Sequence, residues 1–148
     1  MDLKTQINDS VKDAMRSGDE VRKRTLRMVM AAIKQVEVDR RTTLDDAGVL
    51  SILQKEIKNR REALEEANKA KRADLASENE AEITVLEAFL PQAMPADELI
   101  LLVEQAVAES GAASMSEMGK VMKLVIPRVA GRAPNDVISA AVRQALQK

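Results

Sequence analysis

Apolar residues along this chain recur at intervals of three and four. Leu3, Ile7, Val11, Ala14 and Met15 form one stripe that ends near Gly18, and Leu26, Val29, Met30, Ile33 and Val36 form a second. This spacing returns to one side of an α-helix, which completes a turn in about 3.6 residues. A third stripe carries Leu50, Leu53, Ile57 and Leu64. It follows Thr43-Leu44-Asp45-Asp46, which offers a cap and acidic first-turn residues. A fourth runs through Leu75, Ile83, Leu86, Phe89 and Leu90. No β-branched alternation occurs, so the pattern predicts helices and no strands.

Leu90-Pro91-Gln92-Ala93-Met94-Pro95 interrupts the pattern. Its prolines end the fourth helix, and Pro95 with Asp97 and Glu98 suits the first turn of another. Three shorter stripes follow. Leu99, Leu102, Val103, Ala106 and Val107 are closed by Gly111, and Met118, Val121, Met122, Val125 and Val129 share one face. Ser114-Met115-Ser116-Glu117 has capping-box spacing before that second stripe, Pro127 should kink or end it, and Gly131 is the expected stop. Pro134 opens the last helix, with Ile138, Ala141, Val142 and Ala145 inward. The expected architecture is all-α: a four-helix N-terminal region over residues 1–92, and a small three-helix tail domain over residues 93–148.

Composition narrows the chemistry. Of 148 residues 45% are apolar and 32% charged, enough for a folded core. There is no Cys and no His, which removes disulfides, zinc fingers, cysteine nucleophiles and imidazole relays. Phe89 is the sole aromatic residue, so base-stacking platforms are excluded too. The N-terminal residues run into a charged amphipathic pattern without an apolar leader, and no apolar run approaches membrane-spanning length. A cytoplasmic protein without membrane attachment is expected.

The net charge of −1 conceals a dipolar chain. Residues 1–42 hold ten bases and seven acids, and residues 43–89 hold seven and eleven. Residues 90–110 carry four acids and no base, whereas residues 111–148 carry six bases and two acids, a net +4. Carboxylates such as Glu62, Glu65, Glu66, Glu78, Glu80 and Glu82 lie in charged runs, where water should solvate them equally and i,i+4 pairs such as Glu56–Arg60 should form. General acid–base catalysis needs two carboxyls in unlike environments, so no dyad is read here. Gly119-Lys120 lacks the upstream glycine of a phosphate loop. No catalytic residue, metal site or cofactor is expected.

Basic residues are the candidates that remain. Lys120 and Lys123 point away from the Val121–Val125–Val129 face, Arg143 opposes Ile138, Ala141 and Ala145, and Arg128 and Arg132 flank the Pro127–Gly131 corner. Such a set suits phosphate tracking on folded RNA by charge and shape. A secondary basic cluster, Arg22-Lys23-Arg24 with Arg27, in which Arg24 and Arg27 face away from the apolar stripe, either binds likewise or pairs with the acidic third and fourth helices.

The segment Leu26-Arg27-Met28-Val29-Met30-Ala31-Ala32-Ile33-Lys34 resembles the N-terminal signature of the YqeY-like family. So does the stretch from Glu56 through Arg60-Arg61 and Arg72-Ala73-Asp74-Leu75 to Phe89-Leu90-Pro91. Met118-Gly119-Lys120-Val121-Met122-Lys123, continuing through Pro127-Arg128-Val129 to Gly131-Arg132-Ala133, is similar to the GatB/YqeY motif. That motif is shared with the tail domain of the B subunit of the tRNA-dependent amidotransferase. Pro134 departs from the pattern, where relatives often carry Asp. The resemblance spans essentially the whole chain. It implies two helical domains, a tail that helps engage tRNA with Lys120, Lys123 and Arg132 as matching contacts, and a family label of carbon–nitrogen ligase with glutamine as amido-N-donor. The expected role is an accessory or tRNA-binding protein of tRNA-dependent amidation. Its partners would be tRNA and an amidotransferase or other translation-related protein, with no DNA. The alternative is a helical adaptor that docks a partner subunit.

Overall fold

The computed structural model describes residues 2–147, and among them there is no strand. The helices are α1 (Leu3–Ser17), α2 (Glu20–Arg40), α3 (Asp46–Lys69), α4 (Ala73–Glu87), α5 (Ala96–Ser110), α6 (Met118–Val129) and α7 (Asn135–Gln147), with a 3₁₀ turn at Met115–Glu117. The described residues divide into two compact units, one ending at Leu90 and the other starting at Pro91.

In the first unit, α1 and α2 are joined at Gly18, whose φ of 76° lies in the left-handed region that glycine adopts without a Cβ clash. Their apolar stripes meet α3 and α4 around Ile7, Leu26, Val29, Ile33, Val49, Leu53 and Leu86, all fully buried. Aspartates start three of these helices. Asp2 accepts from the Thr5 N–H at 2.7 Å, Asp19 from Arg22 at 3.1 Å and Asp45 from Gly48 at 2.9 Å. Asp46 of α3 reaches across to accept from the Leu3 N–H at 3.0 Å, so one carboxylate ties α3 to the start of α1. Glu37, near the end of α2, does a similar task. Both its oxygens receive the Lys4 ammonium, at 2.8 and 2.9 Å, and Oε2 also accepts from the Leu44 N–H at 2.8 Å.

The second unit packs α5, α6 and α7 about Val103, Ala106, Val121, Val125, Val129, Ile138 and Val142. The Met94 N–H donates to the Arg132 carbonyl at 2.9 Å, which fixes the segment before α5 against the corner between α6 and α7.

Several local expectations are corrected. Met15 does not join the α1 core but is 54% exposed, with Arg27 Nη2 at 3.5 Å from its sulfur. Leu75 is also exposed. The capping box at Ser114 does not form: Ser114 and Ser116 bond to each other through their hydroxyls at 2.7 Å, and the chain passes through the 3₁₀ turn before α6. Pro127 does not stop α6 at once: the helix runs two residues further, to Val129. The left-handed stop falls one residue before Gly131, at Ala130 with φ 51°.

That position yields a prediction. A Cβ in the left-handed region costs roughly 1–2 kcal/mol, part of which glycine returns to the unfolded chain as entropy. Ala130→Gly should therefore stabilise the second unit by about 1 kcal/mol, measured by urea unfolding of the full chain followed through amide exchange of α6. A loss of protection there would contradict it.

Glu37 yields another. The Lys4 ammonium first, and the Leu44 N–H second, hold its carboxyl below the usual carboxylate range. A depressed folded pKa stabilises the fold above the unfolded value of about 4.3, and this contribution is lost as pH falls through the folded value. Glu37→Gln should thus lower thermal stability most above about pH 5, and its gap from the parent protein should close on acidification. A gap that is constant across this range would show that Glu37 acts without its charge.

Candidate nucleic-acid interface

Arg60 sits midway along α3 with a side chain only 8% exposed. A guanidinium so placed must be paired, and it is. Its Nε donates to Glu82 Oε2 of α4 at 2.9 Å, and its Nη1 to Glu56 Oε2 at 2.7 Å and to the Glu56 carbonyl at 3.1 Å. Glu82 in turn accepts from Arg24 of α2 at 3.3 Å, and Arg24 also reaches Glu78 at 3.2 Å. The expectation of equally solvated carboxylates is therefore corrected: Glu82 is 12% exposed while Glu78 is 50% exposed. The difference arises because Glu82 faces α2 and α3 and Glu78 faces outward at the rim.

This network takes in Arg24 of the secondary basic cluster but not Arg27, which is exposed. Arg24 is bound into the fold by α4 carboxylates, and Arg27 lies over the Met15 sulfur. Arg22 hydrogen-bonds the Ser10 hydroxyl, and Lys23 pairs with Glu20 at 2.9 Å. The α3–α4 pair leaves an open groove of about 510 Å³, lined by Arg61, Leu64, Glu65, Glu80, Ile83 and Thr84. Arg61 there is paired with Glu87 at 2.8 Å.

In the second unit the five candidates separate into two groups. Arg132 presents its fork to both oxygens of Glu98 on α5, at 2.9 and 3.3 Å, while its Nε donates to the Gln92 carbonyl at 3.1 Å. Arg128, one turn earlier, pairs with Glu109 at the other end of α5. These arginines are held internally. Lys120 is 68% exposed and meets Glu117 only at 4.0 Å. Lys123 and Arg143 are exposed and have no ion-pair partner among the described residues. On α6, Lys120 and Lys123 lie one turn apart opposite the buried Val121, Val125 and Val129. Counted from Pro91 onward the sequence holds six bases and six acids, so the basic excess after Gly111 is balanced by α5 and what protrudes is local.

The acids of α5 are evident in the sequence, but their pairing with Arg128 and Arg132 is not. Their spacing was readable, but which bases they meet depends on how α5 crosses the α6–α7 corner. Among the described residues no cluster of acids forms a metal-binding group, and no helix is long and apolar enough to cross a membrane.

A family model described as Yqey-like protein matches residues 4–146, and the chain belongs to the YqeY-like family. An uncharacterised protein of Schizosaccharomyces pombe is 33% identical over 90 residues, 61% of this chain and 73% of its own length. A Lachancea thermotolerans protein named altered inheritance of mitochondria protein 41, mitochondrial, is 31% identical over 99 residues, 66% of this chain. The match spans 53% of that relative. The Pyrenophora tritici-repentis protein of the same name is 27% identical over 125 residues, 81% of this chain and 69% of its own.

The buried cation gives a stability prediction. Removing one partner of a buried pair strands the other, at a cost of about 3–5 kcal/mol. Arg60→Ala should destabilise the first unit by about 3 kcal/mol, seen as lost amide protection in α3 and α4 under mild urea. Protection unchanged within about 0.5 kcal/mol would show that the network is dispensable.

Proposed function

We propose that this member of the YqeY-like family binds the phosphate backbone of folded RNA through its second unit, as an accessory factor of tRNA-dependent amidation. The observation that carries this reading is the set of outward cations left over once the internal pairs are made: Lys120 and Lys123 on α6 and Arg143 on α7. Arg24 is paired with Glu78 and Glu82 in the first unit and is not counted in this set. The chain has no His or Cys, and the ligase chemistry that the resemblance implies is assigned to a partner enzyme. This chain contributes binding and placement.

Binding of this kind has a defined signature. Each phosphate neutralised releases counterions, so the logarithm of the binding constant should fall linearly with log salt by about 0.7–0.9 per phosphate. Without an aromatic platform, affinity should be modest and indifferent to base sequence. Each single change to Ala at Lys120, Lys123 or Arg143 should cost about 1 kcal/mol and shallow the slope by about one. The triple change of these residues to Glu should abolish binding of bulk tRNA with the helical spectrum intact, because all three side chains are exposed. Unaltered tRNA affinity in that variant would refute the surface.

An adaptor role has its own supporting feature. Ile100 and Leu101 on α5 are 46% and 60% exposed, an apolar pair on the outer side of a helix that buries Leu99, Val103 and Ala106. Retention of a protein partner after nuclease treatment, with no RNA bound, would favour this reading instead.

A further inference from the structure

Glu98 and Glu109 lie three turns apart on one face of α5, about 16 Å along the helix. Both end on the arginines that flank the corner between α6 and α7. A guanidinium fork accepts carboxylate and phosphate oxygens with the same geometry. Neither pair is sealed from water. Arg132 is 32% and Glu98 47% exposed, and the Arg128–Glu109 pair is more open still. Exposed pairs are weak, so a polyanion that offers several phosphates at once can replace the carboxylates.

We propose that α5 is an intramolecular acidic cover. Glu98 and Glu109 occupy Arg132 and Arg128, and RNA phosphates engage these arginines only by displacing them. The exchange leaves the backbone anchored, since Arg132 keeps its Nε on the Gln92 carbonyl and its own carbonyl on the Met94 N–H. Lys120, Lys123 and Arg143 make the first contact, and the corner adds two further phosphates once it is uncovered. The cover sets a threshold: short or sparse anions leave it closed. It rests on the reading of the second unit as a phosphate-binding surface.

The test uses the full chain with Glu98→Gln and Glu109→Gln, titrated with bulk tRNA and separately with inorganic polyphosphate. The control is Glu62→Gln with Glu66→Gln, two exposed acids of α3, which changes the net charge by the same amount. The cover predicts tRNA binding tightened about fivefold in the α5 variant, with the α3 control within about twofold of the parent. Adding Arg128→Gln and Arg132→Gln to the α5 variant should remove the gain. Equal tightening in both double variants, or a gain that survives loss of the arginines, overturns the cover. A gain with polyphosphate but no tRNA binding by any variant refutes the RNA reading and supports the cover. If the α5 variant loses its helical spectrum, Glu109→Gln is compared with Glu62→Gln by the same criteria.

Discussion

The first unit depends on where Arg60 is placed. A guanidinium on the inner side of α3 is tolerated only if carboxylates meet it there, and this requires α4 to return along α3 in one register. Glu82 must face Arg60, and then its second oxygen faces Arg24 of α2. Three helices are thereby fixed by one chain of charges. The apolar contacts of α4 lie mostly in its second half, where Leu86 is buried and Ile83 and Val85 pack against the core, so its first half relies more on polar contacts. Hydrophobic contact brings α4 to the bundle, and the ionic network sets its rotation. This is the use of a buried ion pair that is best supported physically, register rather than raw stability.

The second unit uses ions differently. Its core is continuous along α5, α6 and α7, with valines stacked on α6 and Ile138, Val142 and Leu146 on α7, so no buried charge is needed to orient a helix. Its ion pairs lie at the edge and remain open to water. Edge pairs contribute little to stability, but they decide which cations are free for a ligand. Two of the four acids of α5, Glu98 and Glu109, thereby occupy Arg132 and Arg128.

The helical character and most inward faces were legible in the chain because burial imposes a period, and a period is a local property. Leu26, Val29 and Ile33, or Val121, Val125 and Val129, are buried as their spacing implies. Errors collect where a second element intervenes. Met15 continues the α1 stripe by number yet falls outside the area α2 covers. The residues of a capping box stand at Ser114 and Glu117, but the adjacent serines bond one another and a 3₁₀ turn forms instead. At the end of α6, Gly131 does adopt a left-handed φ of 79°, but Ala130 adopts one before it, because the helix persists past Pro127 and the reversal begins early.

Charge was the least legible property, for a reason that applies to any helical protein of mixed charge. A window count treats bases as a reservoir, whereas a ligand meets only the charges that folding leaves unspent. Residues 111–148 sum to +4, yet Arg128 and Arg132 are occupied by acids from before that window, and the unit from Pro91 onward sums to zero. Arg24, part of a dense basic cluster in sequence, is paired with α4 carboxylates in space, while Arg27 stays exposed beside the Met15 sulfur. Lys123 and Arg143, candidates in the sequence alongside Arg128 and Arg132, differ from those two in having no ion-pair partner among the described residues. Ion pairing between helices is set by crossing geometry, which no local pattern encodes. The charges such a fold leaves unpaired are therefore a remainder, defined only after the helices have packed.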